Sequence, residues 1–295
     1  MIRLIVFLLL PFLAACATLT GPPPVAFASD RIAVTVRGSG PDVVLIPGLS
    51  SSPEVWESTI AAVPGYRYHI VHVSGFAGRP AAANASGPVV EPVAGEIARY
   101  IGEAGLRQPA VVGHSLGGFW GMMVAARRPE LVSRLMVVDM MPFMGAMFGG
   151  PNATPETVRP MAEQFRKGIA SSAGAQRKAV IEQTIAGMIR TESLRPPAVG
   201  HSLASDAAMS AQAMYDLITT DLRPELGKIE VPVTVLWVRA PGAPVTEEQM
   251  AGFYRMSYSN LPQARLVRVP DSWHFIMWDE PEAFRRELRT FLGAR

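Results

Sequence analysis

The sequence contains one cysteine, Cys16, among its 295 residues, so no disulfide can form within the chain. Its five histidines do not lie at the spacings of metal ligands, and no glycine-rich phosphate loop is present. Charged residues make up only 18% of the chain, and the formal net charge is +2. We therefore expect no metal, no cofactor and no nucleic-acid partner.

A run of apolar residues long enough to cross a bilayer is also missing from the amino terminus, since a spanning helix needs about 20 of them. Residues 1–16 read MIRLIVFLLLPFLAAC, with one arginine near the start, an apolar stretch and small residues before Cys16. This layout predicts a signal peptide over residues 1–15. A short anchor with an incidental cysteine is the alternative.

The ending LAAC resembles the lipobox of bacterial lipoprotein signals. The resemblance implies that Cys16 becomes the lipidated amino terminus and that the proline-rich residues 16–30 form a tether. It also implies a protein attached by its lipid to a membrane of the bacterial cell envelope, on the periplasmic face. Ala17 stands where aspartate would signal retention in the inner membrane, which favours the outer membrane.

Apolar runs alternate with helical patterns along most of the remaining chain. The expected strands are residues 32–36, 43–48, 68–73, 110–113, 134–139, 231–238 and 264–270. Strands that alternate with helices predict an α/β fold with a mostly parallel central sheet flanked by helices. We expect a core of residues 31–141 and 227–295, interrupted after the strand that ends at Asp139 by a helical insertion over residues 142–226.

The tetrapeptide GHSL occurs twice, within VVGHSLGG (111–118) and within VGHSLAS (199–205). The first copy follows a buried strand and precedes a helix, the setting in which a strained turn exposes a nucleophilic serine. It predicts Ser115 as the nucleophile. The second copy has no strand before it, and we interpret Ser202 as part of a helix start capped by Ser205 or Asp206.

The first GHSL copy, together with IPGLSSSPEVWE (46–57), resembles the α/β-hydrolase family from about residue 31 to the end. The resemblance implies a helical cap at the insertion and an oxyanion hole made by the backbone N–H groups of Leu49 and Leu116. It also implies that His274, in VPDSWHFIMWDEPEAF, is the general base. Pro47 and Trp273 depart from the histidine and glycine that are common in the family.

The acid of the predicted Ser-His-Asp triad is less obvious, because LWVRAPGAPVTEEQ (236–249) contains no aspartate. Asp139 is favoured, since some branches of the family carry their acid at the end of that strand. Glu247 and Glu248 are alternatives, although they follow Thr246 as the first turn of a helix does. Asp271 is the third candidate, and local hydrogen bonding in its loop is the simpler role for it.

The insertion begins with MMPFMGAMF (140–148), and its later helices are apolar on one face. Flexible methionines adapt to irregular apolar ligands, so this composition favours esters of hydrophobic acyl or aryl groups, cleaved through an acyl-enzyme. The same triad could instead cleave a carbon–carbon or amide bond, because the fold hosts all of these reactions. A ligand-binding lipoprotein without turnover is the other alternative. The sequence leaves the oligomeric state open.

Overall fold

The computed structural model of the protein describes residues 27–239, 242–243 and 245–293. The expected signal peptide over residues 1–15, Cys16 and most of the tether lie outside the described residues. Within these described ranges, no helix combines the length and the apolar composition needed to cross a membrane.

A seven-stranded sheet organises the chain and confirms the α/β expectation, with the strands in the order β1-β3-β2-β4-β5-β6-β7. The strands are β1 (Ile32–Gly38), β2 (Asp42–Ile46), β3 (Arg67–Val73), β4 (Ala110–His114), β5 (Arg134–Val138), β6 (Val233–Trp237) and β7 (Arg265–Arg268). Strand β1 pairs with β3 in antiparallel register, and the other described pairs are parallel. The carboxyl ends of the parallel strands therefore meet at one edge of the sheet.

Helices cover both faces of this sheet, as a parallel sheet requires. They are α1 (Glu57–Ala62), α2 (Val90–Glu103), α3 (Leu116–Arg127), α4 (Ala146–Gly149), α5 (Pro155–Ser171), α6 (Gly174–Met188), α7 (Arg195–Ala204), α8 (Ala207–Thr219), α9 (Glu247–Ser257), α10 (Ile276–Asp279) and α11 (Pro281–Leu292). Successive residues of a strand point to opposite faces. Accordingly, Val44 and Ile46 pack with α2 and α3, whereas Val43 and Leu45 pack with α11.

Helices α4 to α8, here called the cap helices, lie between β5 and β6. Five of the described strands precede them. The cap helices are fastened to the core at the loop after β3. There Ser205 Oγ accepts from the N–H of Ala77 at 2.8 Å, and the N–H of Asp206 donates to the carbonyl of Gly75 at 2.8 Å.

Candidate active site

Ser115 occupies a tight turn between β4 and α3. Its φ of 53° and ψ of −125° place it in a conformation that residues with a side chain rarely adopt. The N–H of Ser115 donates to the carbonyl of Val138 at 2.9 Å, and its own carbonyl accepts from Gly118 at 2.8 Å. The strained turn is therefore held by the end of the neighbouring strand β5 on one side and by the first turn of α3 on the other.

Two glycines make this turn possible by allowing backbone to approach backbone. A Cβ on Gly113 would lie 2.2 Å from the carbonyl oxygen of Gly117, and a Cβ on Gly117 would lie 2.1 Å from that of Ile46. Real Cβ atoms do not come so close to other heavy atoms. The loop that follows β2 thus packs directly against the serine turn.

That loop carries Leu49, the first expected oxyanion donor, and Leu116 begins α3 beside Ser115. A Cβ on Gly48 would lie 3.0 Å from the Cβ of Ser115, so the loop backbone adjoins the serine side chain. Among the described residues, no hydrogen bond uses the N–H of Leu49 or of Leu116. Both donors are therefore available to an oxyanion.

His274, in the loop after β7, pairs with Asp139, which follows β5. The Nδ1 of His274 lies 2.6 Å from Oδ2 of Asp139, and the two side chains are 21% and 10% exposed. Because Nδ1 donates its proton to the carboxylate, Nε2 keeps its lone pair free to accept a proton. Ser115, Asp139 and His274 all line one cavity.

Asp139 is held in turn by groups of the following strand and helix. Its Oδ1 accepts from the N–H of Val238 at 3.2 Å and from the hydroxyl of Tyr254 at 3.0 Å. Burial, together with the charge of Asp139, raises the pKa of Tyr254 well above its usual range, so the phenol stays protonated and donates. Sequence reasoning missed Tyr254, although its spacing of four from Met250 on α9 marks a buried face.

The described contacts of the other three candidates for the triad acid do not include His274. Glu247 pairs with Arg268 at 2.6 Å, and Glu248 is exposed in the first turn of α9. The carbonyl of Asp271 accepts from the guanidinium of Arg190. The described contacts therefore bring Asp139, and none of these three, to His274.

His114, the residue before the serine, is buried and contributes to the placement of His274. Its Nε2 donates to the carbonyl of His274 at 3.0 Å, and its ring lies 4.7 Å from the ring of His274. The buried Nδ1 has no described partner. Burial, with a smaller contribution from His274, lowers the pKa of His114 well below its usual range, so the ring is neutral.

A cavity of about 1040 Å³ lies between the sheet edge and the cap helices. Its apolar lining comes largely from the methionine-rich segment and from the facing sides of α5 and α6. These residues include Met140, Met141, Met144, Met147, Phe165, Ile169, Val180, Ile181, Ile185 and Met188. Met147, Phe165 and Val180 are also among the large apolar residues exposed to solvent, so they reach from the cavity to the surface.

The second GHSL copy lies in the last turns of α7, which corrects the expectation of a helix start. Pro196 and Pro197 occupy the first turn of α7, where proline is well tolerated, so the helix begins earlier than the sequence suggested. Asp206 caps the next helix, accepting from the N–H of Met209 at 2.8 Å. Ser202 also lines the cavity, a position that the sequence did not predict.

Within the described ranges, no group of three histidine, cysteine, aspartate or glutamate side chains could hold a metal ion. The polar groups that the structure gathers around Ser115 are instead those of proton transfer and oxyanion binding. Their arrangement can support attack by a hydroxyl on a carbonyl carbon.

The family model described as the alpha/beta hydrolase fold matches residues 41–281. The pimeloyl-(acyl-carrier protein) methyl ester esterase of Vibrio vulnificus is 26% identical over 265 residues, which are 87% of this chain and 96% of that protein. An esterase from Exiguobacterium antarcticum superposes with a TM-score of 0.73 at 22% identity, covering 89% of this chain and 96% of that one. An enol-lactonase from Burkholderia xenovorans superposes with a TM-score of 0.70 at 19% identity, with the same coverage. These two structural likenesses show the fold alone.

Proposed function

The chain belongs to the α/β hydrolase family and is an esterase-like serine hydrolase, and we propose that it cleaves carboxylic esters through a triad of Ser115, His274 and Asp139. The observation that carries this proposal is the 2.6 Å contact between His274 Nδ1 and Asp139 Oδ2 at the edge of the cavity that Ser115 lines.

The proposed reaction begins with attack of Ser115 Oγ on the ester carbonyl carbon, while Nε2 of His274 takes the hydroxyl proton. The N–H groups of Leu49 and Leu116 stabilise the negative charge on the carbonyl oxygen. The C–O bond to the alcohol then breaks, and the alcohol leaves with the proton from Nε2. Water, activated by the same nitrogen, attacks the acyl-enzyme, and the acid leaves as Ser115 regains its proton. Asp139 holds the imidazole in the tautomer that both steps need.

The proposed substrate is an ester with a hydrophobic acyl or aryl group. The mostly apolar lining supports this choice, since a sugar, or another substrate that is polar along its whole length, would lose its hydration there without gaining enough polar partners. The relative from Vibrio vulnificus is named for a methyl ester, which also supports a carboxylic ester as substrate.

Labelling with a fluorophosphonate probe tests the nucleophile, because the two GHSL copies provide a matched pair. The probe should modify Ser115 in the mature protein, and S115A should abolish labelling and ester hydrolysis. S202A should leave both within about twofold of the wild type, since only the backbone carbonyl of Ser202 is described in a hydrogen bond. An adduct on Ser202, or none on folded protein, would contradict the proposal.

A second measurement identifies the type of bond that the protein cleaves. A panel of carboxylic esters, amides and diketones of matched apolar groups should show turnover of the esters well above that of the other two classes. Preferential turnover of the diketones or the amides would replace the ester with a carbon–carbon or amide bond while leaving the triad in place. Binding of all three without turnover would favour a ligand-binding protein.

We also propose that the chain is a bacterial lipoprotein of the cell envelope, with residues 1–15 removed, Cys16 lipidated and residues 16–30 acting as a tether. The support is the sequence MIRLIVFLLLPFLAAC alone. Metabolic labelling with an alkyne fatty acid should mark the wild type and not C16S, and fractionation should place the labelled protein in the membrane. Equal labelling of both proteins would contradict the proposal.

A further inference from the structure

The lining of the cavity combines apolar and polar side chains. Most of the apolar ones are the methionines and the residues of α5 and α6 described above. The polar ones include Ser50, Arg177, Ser202 and Ser210, here called the polar wall. The hydroxyls of Ser50 and Ser210 lie 2.9 Å apart. A ligand that fills the cavity therefore meets apolar and polar groups together.

Arg177, in the first turn of α6, is the one cationic side chain of the polar wall, and its side chain is half-buried. Its Nη2 donates to the carbonyls of Ser202 at 3.1 Å and Ser205 at 2.6 Å. These two hydrogen bonds close the C-terminal end of α7 by giving its carbonyls a partner. Within the described part of the chain, no carboxylate pairs with this guanidinium. These hydrogen bonds to α7 use only Nη2 of the three guanidinium nitrogens, so Nε and Nη1 can still donate to a ligand.

Short contacts connect Arg177 to the loop of the expected oxyanion hole. Ser205, whose carbonyl accepts from Arg177, donates its hydroxyl proton to the carbonyl of His201 at 2.8 Å, and its Oγ also lies 3.4 Å from the carbonyl oxygen of Ser50. Ser50 directly follows Leu49, whose N–H would hold the oxyanion. Adding the span of one residue to the contacts of Ser205 with Arg177 and Ser50 puts Nη2 within about 10 Å of the Ser50 carbonyl oxygen. Since Arg177 and Ser115 line the same cavity, one substrate can contact both.

An uncompensated guanidinium beside an apolar cavity attracts an anion more strongly than one in open water, because fewer water molecules screen its charge. A planar carboxylate fits the donor geometry of arginine, and a charge-assisted hydrogen bond is about twice as strong as a neutral one. The long apolar wall meanwhile favours a ligand whose body is a hydrocarbon chain.

Building on the proposed esterase function, we propose that Arg177 forms an anion subsite and that the preferred substrate is the half-ester of an apolar dicarboxylic acid. The ester carbonyl lies at Ser115, the chain lies along the methionines, and the free carboxylate pairs with Arg177. The subsite acts in binding and takes no part in proton transfer.

Kinetics on matched esters test this subsite. Monomethyl esters of dicarboxylic acids, in a series of chain lengths of about six to ten carbons, are compared with methyl esters of monocarboxylic acids of equal length. The wild type should prefer the half-esters in kcat/KM by about 10- to 100-fold, mainly through a lower KM. R177Q should lose this preference, measured within the variant as the ratio of kcat/KM for the half-ester to that for the neutral ester, and R177K should retain part of it.

Arg159 supplies the matched control, because it is an exposed arginine on cap helix α5 outside the cavity. R159Q removes the same charge from the cap and should leave the preference within about twofold of the wild type. An unchanged preference in R177Q, or an equal loss in R159Q, would overturn the subsite. An equal fall in R177Q on the half-esters and on the neutral esters would assign Arg177 to closing α7 and would overturn the subsite too.

Calorimetry on inactive protein separates this inference from the proposed function. S115A should bind the half-ester at least tenfold more tightly than S115A/R177Q does, and both should bind the neutral ester equally. The same difference in binding, together with no ester hydrolysis by the wild type, would retain the subsite and reject the esterase. Equal binding by both variants, with normal ester hydrolysis by the wild type, would reject the subsite and retain the esterase.

Discussion

His274 and Asp139, 135 residues apart in the chain, lie in hydrogen-bond contact at 2.6 Å. The contact arises because β5, β6 and β7 are neighbours in one parallel sheet, so the loops after β5 and β7 emerge at the same edge. A carboxylate at the end of β5 can therefore serve the histidine when the segment after β6 carries no aspartate.

Replacing Asp139 with asparagine is the direct test of this pair. D139N should lower kcat by about 10²- to 10⁴-fold, because asparagine favours the wrong imidazole tautomer and does not stabilise the imidazolium. Steady-state hydrolysis of an aryl ester measures the effect. The control is E247Q, which removes a carboxylate that pairs with Arg268 and should leave kcat within about twofold. A larger loss in E247Q than in D139N would reverse the assignment of the acid.

Tyr254 should act as a positioning residue for Asp139. Y254F removes one hydrogen bond to Oδ1, at 3.0 Å, and leaves the one from Val238. We expect kcat to fall by about 2- to 12-fold with little change in KM, which corresponds to one ordinary hydrogen bond. Stopped-flow ester hydrolysis separates the two constants.

The control for Tyr254 is Tyr68, a buried tyrosine whose hydroxyl donates to the carbonyl of Val63 on the other face of the sheet. Y68F should lower stability and leave kcat unchanged. A fall in kcat that is equal in both variants would show that Tyr254 acts only through general stability.

A low solution pH should destabilise the folded chain, because its buried histidines are neutral. Burial lowers the pKa values of His69, His72 and His114, so these rings stay neutral in the folded state and bind protons on unfolding below about pH 6.5. The unfolded state then holds more protons, so stability is complete above that pH and falls as the pH drops below it. Each ring contributes at most about 1.4 kcal/mol per pH unit.

Urea denaturation at pH values from about 7.5 down to 5.5 measures this loss of stability. H114Q should show a smaller loss over the range than the wild type, because it removes one of the proton-binding groups. The same dependence on pH in both proteins would argue that His114 takes no part in it.

Gly117 should tolerate no side chain. The Cβ of G117A would lie 2.1 Å from the carbonyl oxygen of Ile46, so the serine turn and the loop after β2 must separate. We expect a loss of more than about 3 kcal/mol of stability, or an inactive protein with displaced oxyanion donors.

Gly95 offers the matched control for Gly117, since it lies within α2 with open space around the position of a Cβ. G95A should stabilise the chain by about 0.5–1 kcal/mol, because alanine loses less backbone entropy in a helix. Thermal unfolding and probe labelling of both variants measure the contrast. Wild-type stability and labelling in G117A would show that the turn has more room than the structure gives it.

Local patterns were enough to predict much of the fold and several members of the candidate site. Alternating apolar runs predicted the parallel sheet, and the strand-turn-helix setting of VVGHSLGG singled out Ser115. The same reasoning misplaced the second GHSL copy, because prolines at 196 and 197 resemble a loop although they begin α7. Arg177 and Tyr254 were missed, since no local pattern shows which side chains of a helix face a distant strand end.

The sequence by itself determined the secondary structure, the strained turn at Ser115 and the short set of acids from which a partner for His274 could come. These depend on periodicity, glycine positions and turn chemistry, which act over a few residues. The tertiary structure decided that Asp139 meets His274 and that Arg177 enters the cavity. Those pairings depend on the order of strands in the sheet and on how the cap helices pack over its edge, which bring together residues far apart in the chain.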